Sequence, residues 1–566
     1  MSDITYERTQ KMKRTVLILL VLSMIAALFC GCGTGSSASR PASEPEKSQA
    51  EAPTAAPDAS QPEDNGDEAS YFPLAEPESL GIFISFIPPV VGEIGDDPMT
   101  YTVWRELAER LNVDLEFTVT THDVFRDKTA ILVASNEYPD IMMNLLEQHY
   151  NYSGDQAIED GVAMDLTELV EEYMPNYKSH LYSNPDYVRD ASTDAGKIAA
   201  IFCLWNKEVG AEYGPVIRQD WLDRVDMEAP VTYDDYYNVL TAFKTEIGAS
   251  APIWFCKEGG VGCNYLASGY GTTNCASTMS YTVYYKVVDG KVVFCPTTGE
   301  FRDYLTTMHK WYSEGLIYQN YYDADNDRSN ISDDLISTES TGIWYIYNEY
   351  FNNHFNTISE DPNFKIVAIQ DAVKSAAEGG HLTSKVNVVS TNHACITTNC
   401  ENPELAARFI DYLYSEDGML LMNYGVEGEG FNYVDGKPVL SDLVIHNPDG
   451  LSVTAALTKY AQQQGLMLCD VDRFSAIYSQ EDLAPWNVTD NDWAYPQWAS
   501  TTDEEAAQIG KVMTDVLTYI NENLNKFIIG ERSLDEFDAY VERLEAMNVA
   551  DVTAIYQTVY ERYKAR

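Results

Sequence analysis

Hydrophobic and polar positions along this chain fall into two rhythms. Leu80–Ile87 (LGIFISFI) is a nearly continuous apolar run of strand length, and Val113–Val119 alternates apolar with polar. Between them Tyr101–Leu111 repeats apolar residues at helical spacing. Asp123–Ser135 does so again before a short apolar strand at Asp140–Asn144. Strands alternating with helices of this length predict βαβ units and a parallel sheet. Toward the end the rhythm becomes helical only. Thr502–Phe527 spaces Ile509, Val512, Val516, Ile520 and Leu524 by three or four. Gly530 punctuates it, Ser533–Glu536 has the form of a capping box, and Val552–Tyr563 is a last amphipathic helix.

Two segments at the start break the pattern. Thr15–Phe29 is a fifteen-residue apolar run behind Arg8, Lys11, Lys13 and Arg14. A spanning helix needs about 20 residues, so the run fits a signal-peptide core. Gly31 followed by Cys32 resembles a bacterial lipobox, which predicts a signal peptide over 1–31 and a lipid on Cys32, with Cys30 a minor competitor. Residues 33–70 contain no aromatic residue and are rich in Ser, Ala, Pro, Asp and Glu. Such a tract cannot bury enough apolar surface to fold and predicts a disordered acidic tether over 32–70.

Length and charge narrow the rest. At roughly 100–200 residues per domain, 566 residues predicts two to four domains. Against 37 Lys and Arg stand 88 Asp and Glu, a net charge of −51. That balance excludes a phosphate-tracking nucleic-acid binder and disfavours a basic membrane-binding face. The 39 Tyr, 19 Phe and 9 Trp are the other unusual feature. No GxGxxG follows the first strand and no GxxxxGK[ST] is present, so no nucleotide cofactor is expected. No CxxC pair or His–Cys cluster points to a metal. Cys256, Cys263 and Cys275 lie nearest one another, but spacing assigns no disulfide.

Eight phrases, in order, resemble one family, the extracellular solute-binding lipoproteins of ABC transporters, in the oligosaccharide-binding group. They are SNEYPDIM (135–142), AIEDGVAMDLTELVEEYMPNY (157–177), DAGKIAAIF (194–202), GPVIRQDWLDRV (214–225), PVTYDDYYNVLTAF (230–243), NPELAARFIDYLYSEDGM (402–419), YGVEGEGFNYVDGKP (424–438) and KFIIGERSLDEFDAYVERLEAMNV (526–549). The resemblance implies an α/β, two-lobed periplasmic-binding-protein-like fold of type II with a hinge and a helical C-terminus. On that basis the chain is expected to cross between lobes near 196–201, 341–344 and 414–418. The first lobe would then be 71–198 plus 342–414, and the second 199–341 plus 415–566. It further implies a monomer on the outer face of the bacterial cytoplasmic membrane that captures a carbohydrate and delivers it to permease subunits, without being an enzyme.

Sugars present C–H faces to flat aromatic rings and a rim of hydroxyls to polar side chains. The expected ligand-binding set is therefore Phe86 at the end of the first strand, Trp205 and Asn206 past the first crossing, and Arg218 where a strand turns into a helix. Trp344 and Tyr347 in TGIWYIYNEY, and Trp486, Trp493 and Trp498 in APWNVTDNDWAYPQW, complete the aromatic candidates. Asp140 serves either as a hydroxyl acceptor or as a cap. Glu427 and its neighbour Glu429 either bond hydroxyls or belong to a Gly-rich turn. Trp221 is read as core. Many relatives carry a calcium loop after the helix equivalent to 230–245. Here KTEIGASAPIWF lacks its carboxylates, so no calcium is expected there. Asp323, Asp325, Asp327 and Asp334 imitate an EF-hand, but Arg328 replaces the turn glycine. The alternatives are an exported glycan-acting enzyme, a ligand-sensing lipoprotein, and a peptide or modified-sugar cargo.

Overall fold

The computed structural model describes residues 71–566, except 212, 255–265, 274–280, 323–329, 348–358, 360, 378, 383–386, 464 and 480. The signal peptide, Cys32 and the tether lie outside the described residues, as do Cys256, Cys263, Cys275, Asp323, Asp325 and Asp327.

Nine strands matter for the site. They are β1 (Glu78–Phe86), β2 (Val113–Thr121), β3 (Ile141–Met143), β4 (Ile201–Trp205), β5 (Tyr213–Arg218), β6 (Ile343–Tyr347), β7 (Ile366–Ala368), β8 (Val389–Ile396) and β9 (Leu468–Cys469). The larger sheet has the order β9-β4-β8-β3-β1-β2, and the smaller β6-β5-β7. In the larger sheet β2 and β3 run parallel to β1, as the βαβ rhythm predicts, and β9 runs parallel to β4. Only β8 is antiparallel to its neighbours β3 and β4. The smaller sheet is antiparallel throughout.

Each sheet carries its own core. Ile82, Phe83, Leu107, Met142, Leu204 and Ile410 belong to the first. Ile217, Trp221, Tyr236, Met308, Trp344 and Phe527 belong to the second. Among the helices that contribute to the second core are α1 (Gln219–Val225), α2 (Asp503–Ile529), α3 (Phe537–Ala546) and α4 (Val549–Lys564). A capping box between Thr502 and Glu505 opens α2, and Gly530 ends it with φ 84° in the left-handed region that favours glycine. Thus the helical tail lies where its periodicity places it.

The lobe boundaries differ from the expected ones. β4 pairs inside the first sheet, so the first crossing follows Trp205 and does not lie at 196–201. β6 pairs with β5, which puts 343–347 in the second lobe. The second crossing is therefore 369–388, between β7 and β8. A further crossing, the third, leaves β9 after Cys469, because β9 pairs with β4 in the larger sheet. The physical reason is that strand pairing, not a glycine in the sequence, decides to which lobe a segment belongs. Gly342 marks close packing: a β-carbon there would approach the Trp221 ring to 2.8 Å.

Candidate functional site

Strand direction determines which edge of each sheet meets the crossings. β1, β3, β4 and β9 all end at one edge, at Phe86, Met143, Trp205 and Cys469. In the second sheet the matching edge holds the start of β5 at Tyr213 and the ends of β6 at Tyr347 and β7 at Ala368. The crossings that follow Trp205, Ala368 and Cys469 border these two edges. A crevice at the carboxyl ends of parallel strands, bordered by chain crossings, is where open α/β sheets take ligands.

The crossings are bonded to one another. Asn206 Nδ2 donates to Asp470 Oδ1 at 3.0 Å, its backbone N–H donates to the Cys469 carbonyl at 2.9 Å, and its Oδ1 accepts from Val471 N–H at 3.3 Å. Tyr424 Oη donates to the other oxygen of Asp470 at 2.8 Å. Lys207 Nζ lies 2.8 Å from Asp472, and Ala211 N–H donates to Asn487 Oδ1 at 2.8 Å. The second and third crossings meet where His381 Nδ1 lies 3.0 Å from Asp490 and Trp493 N–H donates to the His381 carbonyl at 3.2 Å.

Of the expected residues, Trp205, Asn206, Tyr347 and Trp493 stand at this junction. Trp205 is half-buried at the end of β4. Trp493 is half-buried too, with the His381 ring 4.5 Å away and Lys286 Nζ 5.2 Å from its centroid. The ring also bears on Gly271, whose φ of 68° and short approach (2.7 Å from a β-carbon to the indole) suit only glycine. Tyr347 ends β6 opposite Tyr213.

The others are buried in protein, lie at the far edge or stand in an exposed turn. Phe86 is buried edge-on against Tyr101, with ring centroids 5.5 Å apart. Asp140 precedes β3 and does not end it, so it sits at the far edge, where its carboxylate accepts from Gly81 N–H at 2.7 Å. Arg218 is at the far end of β5 and fully buried. It donates to both oxygens of Asp220 at 2.8 and 2.6 Å and to Glu339 at 2.5 Å, between the rings of Trp221 and Phe364. That guanidinium is occupied by protein, as its sequence position alone does not reveal. Trp344 is buried mid-strand opposite Val216. Trp486 is buried, with Nε1 donating to the Pro215 carbonyl at 2.8 Å. Trp498 is buried against Phe202 and Tyr152 in the first lobe. Glu427 is exposed in the turn before Phe431.

Three residues at the junction were not among the sequence candidates. Tyr213 and Tyr345 form a ring pair 5.7 Å apart at the second-lobe edge. Tyr213 is the residue immediately before GPVIRQDW, and the alternation of TGIWYIY marks Tyr345 as facing opposite to Trp344. Asp371, in the second crossing, is buried beside Ser268, and burial pushes its carboxyl up to about 7. Among the described residues no group of three or more His, Cys, Asp or Glu is arranged to hold a metal ion. The junction brings together aromatic rings, amides and carboxylates, the kinds of group that bind a polyhydroxylated molecule.

Residues 97–420 match the sequence profile of the bacterial extracellular solute-binding proteins. The chain belongs to that family. It is 22% identical to the fructooligosaccharide ABC transporter substrate-binding protein FusA of Streptococcus pneumoniae, over 88% of this chain and 93% of that one. It is 23% identical to the polygalacturonan/rhamnogalacturonan-binding protein YtcQ of Bacillus subtilis, over 81% and 88%. Among solved structures, the alginate-binding protein AlgQ2 superposes with a TM-score of 0.66 at 21% identity, covering 87% of this chain and all of that one. FusA in complex with kestose superposes at 0.64 and 20% identity, over 86% and 99%. The two-lobed type II fold of this solute-binding protein is therefore shown, and its relatives are binding proteins rather than enzymes.

Proposed function

We propose that this solute-binding protein captures an oligosaccharide between its lobes and delivers it to ABC permease subunits, tethered outside the bacterial cytoplasmic membrane by a lipid on Cys32. The observation that carries the reading is the junction itself: two sheet edges face three crossings, with the half-buried rings of Trp205 and Trp493 beside amides and carboxylates. Relatives named for fructooligosaccharides and for polygalacturonan and rhamnogalacturonan support the ligand class. Capture requires no bond to break, only closure of the lobes on the ligand.

A thermal-shift screen of residues 70–566 against glycans and peptides tests it, since a ligand that binds only the native state raises the midpoint by mass action. Stabilisation by a glycan recovered intact is the expected result. A glycan recovered cleaved points to an exported enzyme, and stabilisation by peptides alone overturns the cargo. For the anchor, Cys32→Ala is expected to release the protein into the medium.

A further inference from the structure

The last helix joins the lobes a fourth time, without a chain crossing. The first three turns of α4 are second-lobe core, through Val549, Val552 and Tyr556. Its end reaches the first lobe, where Tyr563 is buried in the other core. Arg562 Nε donates to Asp194 Oδ2 at 2.5 Å, and Arg566 Nε to Asp194 Oδ1 at 2.7 Å. Tyr563 Oη donates to Asp190. On its other side Arg562 makes a bidentate pair with Glu505 of α2 at 2.9 and 2.8 Å. Both arginines also hold Ser500, through its carbonyl at 2.9 Å and its hydroxyl at 2.8 Å.

We propose that this clasp is the pivot of lobe movement, a positioning device that confines the lobes to one closing rotation. Its placement supports that role. Ser500 belongs to the third crossing, in which Gln497 accepts from Asn387 of the second crossing at 2.8 Å and Trp498 packs on Phe202 of β4. The clasp is thus continuous with the crossings, where a hinge rotation displaces atoms least. Its charges are largely withdrawn from water: the Arg566 side chain is 3% exposed and that of Asp194 20%. Charge-assisted, bidentate bonds of this kind hold orientation as well as distance. One carboxylate, Asp194, takes both arginines, while Tyr563 bonds Asp190 and Arg566 also donates to the Ser192 carbonyl at 2.8 Å, so three side chains seat the helix end on the first lobe.

Small-angle scattering of the ligand-free compact unit Ser70–Arg566 tests the proposal without reference to the cargo. A compact body of this length has a radius of gyration of about 23 Å. Arg562→Ala/Arg566→Ala is expected to raise that radius and the maximum dimension, as lobes freed from the clasp sample wider openings. Asp194→Asn, which keeps side-chain shape, is expected to move both quantities the same way by less, and decides the matter if the double variant does not fold. A lowered melting temperature with an unchanged scattering curve overturns the pivot and leaves only a structural contact.

Discussion

Trp486 lies flat against Gly214: a β-carbon on that glycine would stand 2.5 Å from the indole. A segment of the third crossing is thereby sealed onto the first residues of β5, and the tryptophan is part of the second lobe's core. Trp486→Ala is expected to cost about 3–5 kcal/mol in urea unfolding, the range for removing a buried indole. Gly214→Ala is expected to destabilise as well, because the ring has no room to retreat. A Trp486→Ala protein of unchanged stability would return this residue to the list of ligand platforms.

Arg218 belongs to the same class of structural residue. Its guanidinium offsets the buried charge of Asp220, so Arg218→Met leaves that carboxylate uncompensated and is expected to cost about 3–5 kcal/mol. Chemical denaturation measures the loss directly. Glycan affinity measured well below the unfolding transition is expected to stay close to that of the parent.

Trp205 and Trp493 should behave in the opposite way. Each ring is half-buried beside the crossings, so Trp205→Ala and Trp493→Ala are expected to weaken binding of a glycan hit by about tenfold. Their stability losses should be smaller than that of Trp486→Ala. Calorimetry at constant temperature compares the three variants, and undiminished affinity in both of the first two removes them from the site.

His393 gives a pH signature. Its Nδ1 lies 2.7 Å from the Thr391 carbonyl, to which it donates, leaving Nε2 to accept from Leu146 N–H at 3.0 Å. Burial lowers its pKa from 6.5 to about 4. Between those values the unfolded chain binds a proton that the folded one does not, so stability falls as pH drops from about 6.5 toward 4. The full effect is on the order of 3 kcal/mol. His393→Gln is expected to flatten this limb of the stability–pH curve, whatever its effect at neutral pH.

Asp371 has the reverse sign. Burial raises its carboxyl from 3.8 to about 7, so the folded state holds a proton that the unfolded state has released. Stability therefore declines as pH rises from about 4 to 7. Asp371→Asn, which imitates the protonated form, is expected to raise the melting temperature at pH 8 more than at pH 5. Equal shifts at both values exclude this titration.

Much of the fold was legible because local periodicity and tertiary burial agree. The strands β1 to β3 and the helices at 102–111 and 503–529 fall within a few residues of their apolar patterns. A capping box opens α2 at Thr502, where the periodicity begins. The candidate site was legible only in part. Trp205, Asn206 and Trp493 border strand ends or irregular stretches and lie at the junction, while Trp344, Trp486 and Trp498 share that aromatic character but are core. An aromatic side chain serves a sugar face and a protein interior by the same physical property, and composition does not separate the two uses.

The sequence by itself determined the expectation of an export signal and an acidic tether, the βαβ start and the helical end, since each depends on local composition or spacing. Tertiary structure alone decided the lobe boundaries, the pairing of Arg218 with the carboxylate at position 339, and the seating of Arg562 and Arg566 on Asp194. It also brought the thiols of Cys203 and Cys469 within 3.4 Å of each other, while sequence proximity had singled out three other cysteines. The reason is common to all of these. Strand pairing and charge pairing join residues tens to hundreds of positions apart, and their energy depends on directions and distances that no local pattern encodes.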